Sequence, residues 1–423
     1  MTRTWLQLVV LTALLAASVR ALGQADTGSI VRIRDTGDRF ELTLNGEPYF
    51  VRGAGGQGHL DVLTAAGGNS IRTWGADHAG DVLDDARAHG VSVTLGIWIQ
   101  HPRHGFNYHD KNAVEKQREM VRDVVRKYKD HPALLMWGVG NEVELESDPN
   151  LVFPEINNLA KIVKEIDPNH PTMAVLAGTI DNKIAAFVRH CPDVDLLGVN
   201  AYKEAPEVPA ILHEQGYDGP FLLTEFGATG HWQVPKAAWG APIEPTSTEK
   251  GESYEDAYRR GVLAHPETCL GSYVFLWGQK QEVTPTWYGM FLPTGETTPA
   301  LDSMWRVWSG AEPPQHAPAI GKIASPVALD LVDEATEFAA SVDATDPDGD
   351  ALTYTWSISP ESTAAHVGGD REAVPESLKD LVLEQGASAR IRTPSRQGAY
   401  RLFVTVTDGT GRAATANIPF MVR

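Results

Sequence analysis

Ala133-Leu-Leu-Met-Trp-Gly-Val-Gly-Asn-Glu142 is apolar along most of its length and stops abruptly at an amide and a carboxylate. A run without polar alternation reads as a strand covered on both faces, the habit of parallel sheets. An ionised carboxylate at the end of such a strand is costly unless it is paired or serves chemistry. Such a strand needs a parallel sheet to hold it, and Glu142 needs a partner.

The sheet follows from the rhythm of the chain. From Pro48 onward, short apolar runs alternate with helical patterns. The runs are Tyr49–Gly53, Ser70–Trp74, Ser92–Ile99, Ala133–Asn141, Thr172–Ala177, Leu196–Tyr202, Pro220–Phe226 and Gly271–Trp277. The helical segments are His59–Ala66, Ala79–His89, Asn112–Lys129, Pro154–Ile166, Asn182–His190, Val208–Gln215, Tyr254–Ala264 and Ala300–Trp308. Eight such pairs predict an α/β fold, a (β/α)8 TIM barrel. A doubly wound open sheet would instead need a glycine-rich phosphate loop after an early strand. Gly53-Ala-Gly-Gly-Gln-Gly58 resembles one only faintly, and Arg72-Thr-Trp stands where the acidic residue belongs. Before the barrel, Ile30–Arg34 and Phe40–Leu44 alternate as a hairpin, and Asn45-Gly46 turns the chain into the next strand.

At 423 residues the chain exceeds one average domain, and 42% hydrophobic with 22% charged residues is a globular composition. Met1-Thr-Arg, the apolar run Trp5 to Val19 and the small-x-small site Ala21-Leu-Gly23 predict a signal peptide over residues 1–23. Its apolar run is shorter than the roughly 20 residues of a membrane span. The expectation is an exported protein (periplasmic, secreted or cell-surface) with no transmembrane segment in the mature chain. The barrel domain is expected over 24–310. A proline-rich stretch marks a linker over 311–318. Residues 319–423, with strands at Phe338–Val342, Leu352–Ile358, Ala389–Thr393, Tyr400–Asp408 and Ala413–Val422, read as a small all-β immunoglobulin-like sandwich. Glu372–Glu384 reads as a helical or irregular insertion. The formal charge of −19 argues against nucleic acid or an anionic membrane as partner, while a neutral sugar would not be repelled. Cys191 and Cys269 fall near the ends of non-adjacent helices, which argues against a disulfide.

In such a barrel the site lies at the C-terminal ends of the strands. There stand Arg72 and Trp74 on the second strand, Asn141 and Glu142 on the fourth, Asn200 and Tyr202 on the sixth, Glu225 on the seventh and Trp277 on the eighth. Two carboxylates across one barrel mouth suit cleavage of a glycosidic bond with retention, one protonating the leaving oxygen and the other attacking the anomeric carbon. Arg72 and Tyr202 could hold one of them ionised, while burial keeps the other protonated.

Asn141-Glu142 after an apolar strand, Thr224-Glu225-Phe-Gly later, and Trp277 on the eighth strand resemble clan A of the glycoside hydrolases. Leu44-Asn-Gly-Glu-Pro-Tyr-Phe-Val-Arg-Gly53, Ile71-Arg-Thr-Trp74 and Leu223-Thr-Glu-Phe226 are most similar to the catalytic barrel of glycoside hydrolase family 2, with echoes of families 5 and 72. The resemblance runs from about Phe40 to Trp308. It implies that Glu142 is the acid/base and Glu225 the nucleophile. It further implies that Arg72 and Tyr202 are the nucleophile's partners, Asn141 a contact to the sugar 2-hydroxyl and Trp277 the floor under the reacting sugar. The implied activity is a retaining β-glycoside hydrolase on an oligo- or polysaccharide, needing no cofactor. A transglycosylase of the same mechanism, and a non-catalytic carbohydrate binder on a degenerate barrel, are the alternatives.

Each residue has a plainer competitor. Glu142 could merely cap a helix. Glu144 and Glu146 are nearby acids that read as solvated surface. His101, His104 and His109 lie on a Pro-, Gly- and Asn-containing loop without the helical spacing of zinc sites, so no metal is expected there. The long loop Gly227–Gly251 carries His231, Trp232 and Trp239, suited to stacking on sugar or to packing the loop. Glu282, Trp287 and Tyr288 could line the cleft or brace it. Asp346-Pro-Asp-Gly-Asp350 resembles the turn of PKD and cadherin-like domains. Its alternating carboxylates could take Ca²⁺, although such turns also form without metal and a full calcium loop is not present.

Overall fold

The computed structural model describes residues 28–364 and 369–423, so the expected signal peptide lies outside the described residues. The described chain begins with a small antiparallel sheet of β1 (Val31–Asp35), β2 (Phe40–Leu44) and β3 (Glu47–Pro48). Asn45 and Gly46, both at positive φ, make the tight turn that their sequence predicts. Val31 and Leu42 cluster with Val51, Leu135, Met173 and Leu196, which lie at or near the starts of their strands. The sheet thereby stops the end of the barrel opposite the functional mouth.

Eight parallel strands then close on themselves: β4 (Val51–Gly56), β5 (Ser70–Arg72), β6 (Ser92–Ile97), β7 (Leu134–Asn141), β8 (Thr172–Ala177), β9 (Leu196–Asn200), β10 (Phe221–Gly227) and β11 (Cys269–Trp277). The helices are α1 (Leu60–Ala65), α2 (Ala79–Ala88), α3 (Lys111–Tyr128), α4 (Pro149–Ile166), α5 (Lys183–His190), α6 (Val208–Glu214), α7 (Ser247–Tyr258) and α8 (Pro299–Ser309). This is the TIM barrel that the alternation predicts. Its interior is packed rather than hollow: the Tyr273 ring fills the space beside Gly53, where an added Cβ would fall 2.3 Å from a ring carbon. Cys191 and Cys269 are free and buried.

Two helix starts differ from the sequence reading by more than one residue. Helix α4 begins at Pro149, because Asp148 caps it through the Asn150 amide at 2.9 Å and proline suits the first helical position. Pro154, read as a start, lies inside the helix. Helix α7 begins at Ser247, not Tyr254. Thr246 and Glu249 form a reciprocal capping box, with Oγ1 accepting the Glu249 amide at 3.2 Å and Glu249 Oε2 accepting the Thr246 amide at 2.8 Å. The loop after β10 is correspondingly shorter.

Beyond α8 the chain becomes all-β. It forms β12 (Ala319–Ile320), β13 (Leu331–Val332), β14 (Glu337–Ser341), β15 (Ala344–Thr345), β16 (Thr353–Pro360), β17 (Val382–Glu384), β18 (Ser388–Arg392), β19 (Gly398–Thr407) and β20 (Ala413–Val422). They make three sheets, ordered β12-β15, β13-β20-β19-β16 and β14-β18-β17. Trp356, Ile358, Leu402, Val404 and Phe420 belong to a core of their own. The carboxylates of Asp346, Asp350 and Asp408 converge to within 4.8 Å. Among the described residues no helix is long and apolar enough to cross a membrane.

This unit is docked on the barrel. The Ile320 and Thr415 amides donate to the hydroxyls of Thr248 and Ser247, each at 2.8 Å. In the proline-rich segment, Pro313, Ala317 and Pro318 are buried, and the Ala317 amide donates to Asp302 at 2.6 Å. Arg401, 1% exposed, donates to Glu361 at 3.0 Å, to Asn417 at 2.7 Å and across to the Pro242 carbonyl of the barrel at 2.8 Å. Removing a buried cation strands its anionic partner, so Arg401→Ala is expected to cost about 3 kcal/mol. Urea unfolding of the full chain measures this, and a loss below about 0.5 kcal/mol would count against the arginine as a fastener.

Candidate active site

Of the sequence-predicted residues, Arg72, Trp74, Asn141, Glu142, Asn200, Tyr202 and Glu225 meet at the C-terminal mouth of the barrel. Glu225, 5% exposed, ends the seventh strand of the barrel. Its Oε1 accepts from Arg72 Nη1 at 3.1 Å and from Trp74 Nε1 at 2.7 Å, and its Oε2 accepts from the Tyr202 hydroxyl at 3.0 Å. Guanidinium and indole can only donate, so this surrounding suits an acceptor-only carboxylate. Burial first, and then the Glu225 charge, push the Tyr202 phenol well above its ordinary value, so it stays a donor. Arg72, 2% exposed, is held in turn: Nη1 also reaches the Thr224 carbonyl at 3.0 Å, and Nη2 reaches Asn141 Oδ1 at 2.6 Å.

Glu142 follows immediately after β7, at φ 50°, with its amide donating to the Val175 carbonyl at 2.9 Å. It keeps some solvent contact yet is densely surrounded. That desolvation, followed by the nearby Glu225 charge, raises its pKa from 4.5 to about 8. Asn200 Nδ2 donates to Glu142 Oε1 at 2.8 Å and to Asn141 Oδ1 at 3.2 Å, while Asn200 Oδ1 accepts from Thr224 Oγ1 at 2.8 Å. Asn141 therefore spends its oxygen on Arg72 and Asn200. Among the described residues its NH₂ group has no protein partner, which leaves a free donor at the mouth.

Other expectations are revised. Trp277 is 1% exposed. Its indole donates to the Gly58 carbonyl at 2.9 Å, and its ring packs on Phe291 and Trp308 at 5.1 and 6.4 Å, so it does not floor the mouth. The physical cause is a slip in the pairing of β11 with β4 between Val274 and Trp277, which breaks the strict in–out alternation. Phe275 takes the place at the mouth: its ring meets Trp74 edge-on at 5.9 Å and Tyr202 at 6.0 Å.

Glu144 is not surface. It is 3% exposed, and its Oε1 accepts the Ala177 amide at 2.8 Å and Lys183 Nζ at 3.2 Å. His231 is buried in the loop after β10. Its ring lies edge-on to Trp232 at 4.8 Å and to Trp287 at 5.9 Å, with Nε2 at 3.6 Å from Glu282, so it braces the loop. Trp232 is 52% exposed and edge-on to Tyr202 at 5.4 Å, beside the mouth. Trp287 is fully buried, donating to the Thr229 carbonyl at 2.9 Å. His101 stacks with Trp98 at 4.9 Å and packs against His104 at 5.2 Å.

A TIM barrel carrying a donor-bound carboxylate on its seventh strand, and one with a raised pKa after its fourth, resembles the arrangement expected of clan A glycoside hydrolases. Comparison points the same way. Residues 76–233 match the family model described as Glycosyl hydrolases family 2, TIM barrel domain. The chain is 25% identical over 238 residues to a beta-glucuronidase of Paenibacillus borealis, covering 46% of this chain and 38% of that enzyme. It is 26% identical over 181 residues to the beta-glucuronidase of Rattus norvegicus, covering 38% and 26%. The chain thus spans well under half the length of these relatives. Among solved structures, beta-D-glucuronidase from Dictyoglomus thermophilum superposes with TM-score 0.52 at 19% identity, covering 67% of this chain and 54% of the other. Bacteroides uniformis beta-glucuronidase 2, covalently bound to cyclophellitol-6-carboxylate aziridine, gives TM-score 0.52 at 14% identity over 93% of this chain and 48% of the other. These likenesses agree on the barrel fold.

Proposed function

We propose that the protein is an exported, retaining β-glycoside hydrolase. The observation that carries this is the contrast between the two carboxylates: Glu225 fully engaged by donors, Glu142 raised to about 8 and held by Asn200. Oε1 of Glu225 is occupied by Arg72 and Trp74, so Oε2 attacks C1 of the sugar. As that bond forms, the bond from C1 to the bridging oxygen breaks, and Glu142 gives that oxygen its proton. Glu142, now ionised, takes a proton from water. The hydroxyl attacks C1, breaks the ester to Glu225 and leaves the sugar with its original configuration. Electrostatic support for the ester-forming step comes from Tyr202 and Arg72.

The similarity to beta-glucuronidases makes a β-glucuronide the first glycone to assay. A 2-deoxy-2-fluoro glycoside should leave a covalent sugar on the peptide containing Glu225. Absence of labelling and of hydrolysis across gluco-, manno-, galacto- and glucurono-configured reagents would favour the carbohydrate-binding alternative. Transfer to an added acceptor sugar faster than to water would favour the transglycosylase. Tyr202→Phe removes one donor from Oε2 and is expected to lower kcat/KM about 100-fold while leaving the melting temperature nearly unchanged. An effect below threefold would remove Tyr202 from the mechanism.

A further inference from the structure

The rim of the mouth is uneven. After β4 and β5 the chain reaches the next helix within residues 57–59 and 73–78, whereas the crossovers after β6 and β11 run over 98–110 and 278–298. A segment of the C-terminal unit, Gly369 to Glu372, spans these two crossovers. Asp370 holds Arg103 with both carboxylate oxygens, at 3.0 and 3.1 Å, and meets His104 Nε2 at 3.4 Å. Lys280 Nζ donates to the Gly369 carbonyl at 2.7 Å, and Glu372 accepts the Val283 amide at 2.9 Å.

The crossover after β6 presents Trp98. Ile97 pairs with Val139 on the adjacent strand, so Trp98 stands one step further along, level with the approach to Asn141 and Glu142. Neighbouring strands lie about 4.8 Å apart. Trp98 is 36% exposed and stacks on His101 with 21° between the rings. His101 is almost fully buried; burial, and next the positive Arg103, push it down to about 4, so the ring behind Trp98 is uncharged at neutral pH. Trp98, His101 and His104 thus form a series of packed rings, and its far end is fastened by a residue 267 positions later than Arg103.

We propose that Trp98 is the platform for the leaving-group sugar, and that Asp370 of the C-terminal unit positions it through Arg103 and His104. The proposal rests on the glycosidase reading above. Glu142 protonates the departing oxygen, so the departing group lies on the Glu142 side of the mouth, where Trp98 stands. Phe275, Trp74 and Tyr202 gather instead about Glu225. An exposed indole face backed by a second ring offers a flat apolar surface to the C–H face of a sugar or to an aryl group.

The test uses the full chain with Trp98→Ala, Asp370→Asn and Asp370→Glu. Two reactions are compared: turnover of β-linked disaccharides, and labelling of Glu225 by 2-deoxy-2-fluoro glycosyl fluorides, whose fluoride is too small to reach the platform. The expected result is a KM for disaccharide raised about tenfold in Trp98→Ala and severalfold in Asp370→Asn. Labelling should fall far less than disaccharide turnover, and Asp370→Glu should recover most of the loss. Equal losses in both reactions, or an unchanged KM, overturn the proposal. Failure of every fluoride to label wild-type protein would instead sink the glycosidase reading. The role of Asp370 is then decided by hydrogen exchange: amides of residues 98–109 should exchange faster in Asp370→Asn, and equal rates overturn it.

Discussion

Replacing Glu225 with glutamine is expected to lower kcat/KM by on the order of 10⁴-fold or more while the protein stays folded. The amide keeps an oxygen toward Arg72 and Trp74, and the Tyr202 hydroxyl can turn from donor to acceptor, so the hydrogen bonds of the site survive. What disappears is the proposed nucleophile: an amide cannot form the ester with C1. Glu225→Ala loses as much activity but also strands the buried Arg72, at a cost of about 3 kcal/mol. The alanine variant opens space on the attacked side of C1, where azide should restore turnover and give a glycosyl azide of inverted configuration. Initial rates on an aryl glycoside, with a melting curve beside them, check this. Turnover within tenfold of wild type in Glu225→Gln would end the assignment.

The second large effect is on pH. Glu142 must carry a proton to act as acid, and burial with the nearby Glu225 charge sets its pKa at about 8. The kcat/KM of the free enzyme is therefore expected to fall as pH rises through about 8, by about tenfold per unit beyond it. Glu142→Gln should abolish that limb. It should cost orders of magnitude on substrates with poor leaving groups, and little in the first step on activated aryl glycosides. Stability moves with the same proton. The folded protein holds it more tightly than the unfolded chain, whose glutamate has the ordinary value of 4.5. Between about 4.5 and 8 the unfolded state thus binds fewer protons, and stability contributed by this group declines as pH rises. Glu142→Gln is accordingly expected to raise the melting temperature more at pH 8 than at pH 5. A basic limb that persists in Glu142→Gln would assign it to another group.

The barrel was legible because each strand is a short apolar run bounded by turn residues, and because its site lies at one end of every strand. Glu142 and Glu225 could be found by counting strands alone. Thr246-x-x-Glu249 is equally readable as a capping box and marks the start of helix α7. Elsewhere the missing information was non-local. Glu144 read as surface because Lys183, which neutralises it, is 39 residues away at the start of helix α5. Trp277 read as the floor because the slip in the β11–β4 register is a property of two strands, and only the paired barrel reveals Phe275 in that place. The contact between Arg103 and Asp370 joins two units, and no periodicity in either one announces it.

Asn200 bonds Glu142 and Asn141 through its nitrogen and Thr224, the residue before Glu225, through its oxygen. In an engineer's terms, both carboxylates are measured from one datum. When the barrel breathes, a displacement of β9, which carries Asn200, enters both positions with the same sign and cancels from the gap between them. Retention tolerates only a narrow gap, about 5–5.5 Å. Motion of β9 thus becomes common-mode error, and the spacing on which the proposed reaction depends is insulated from it.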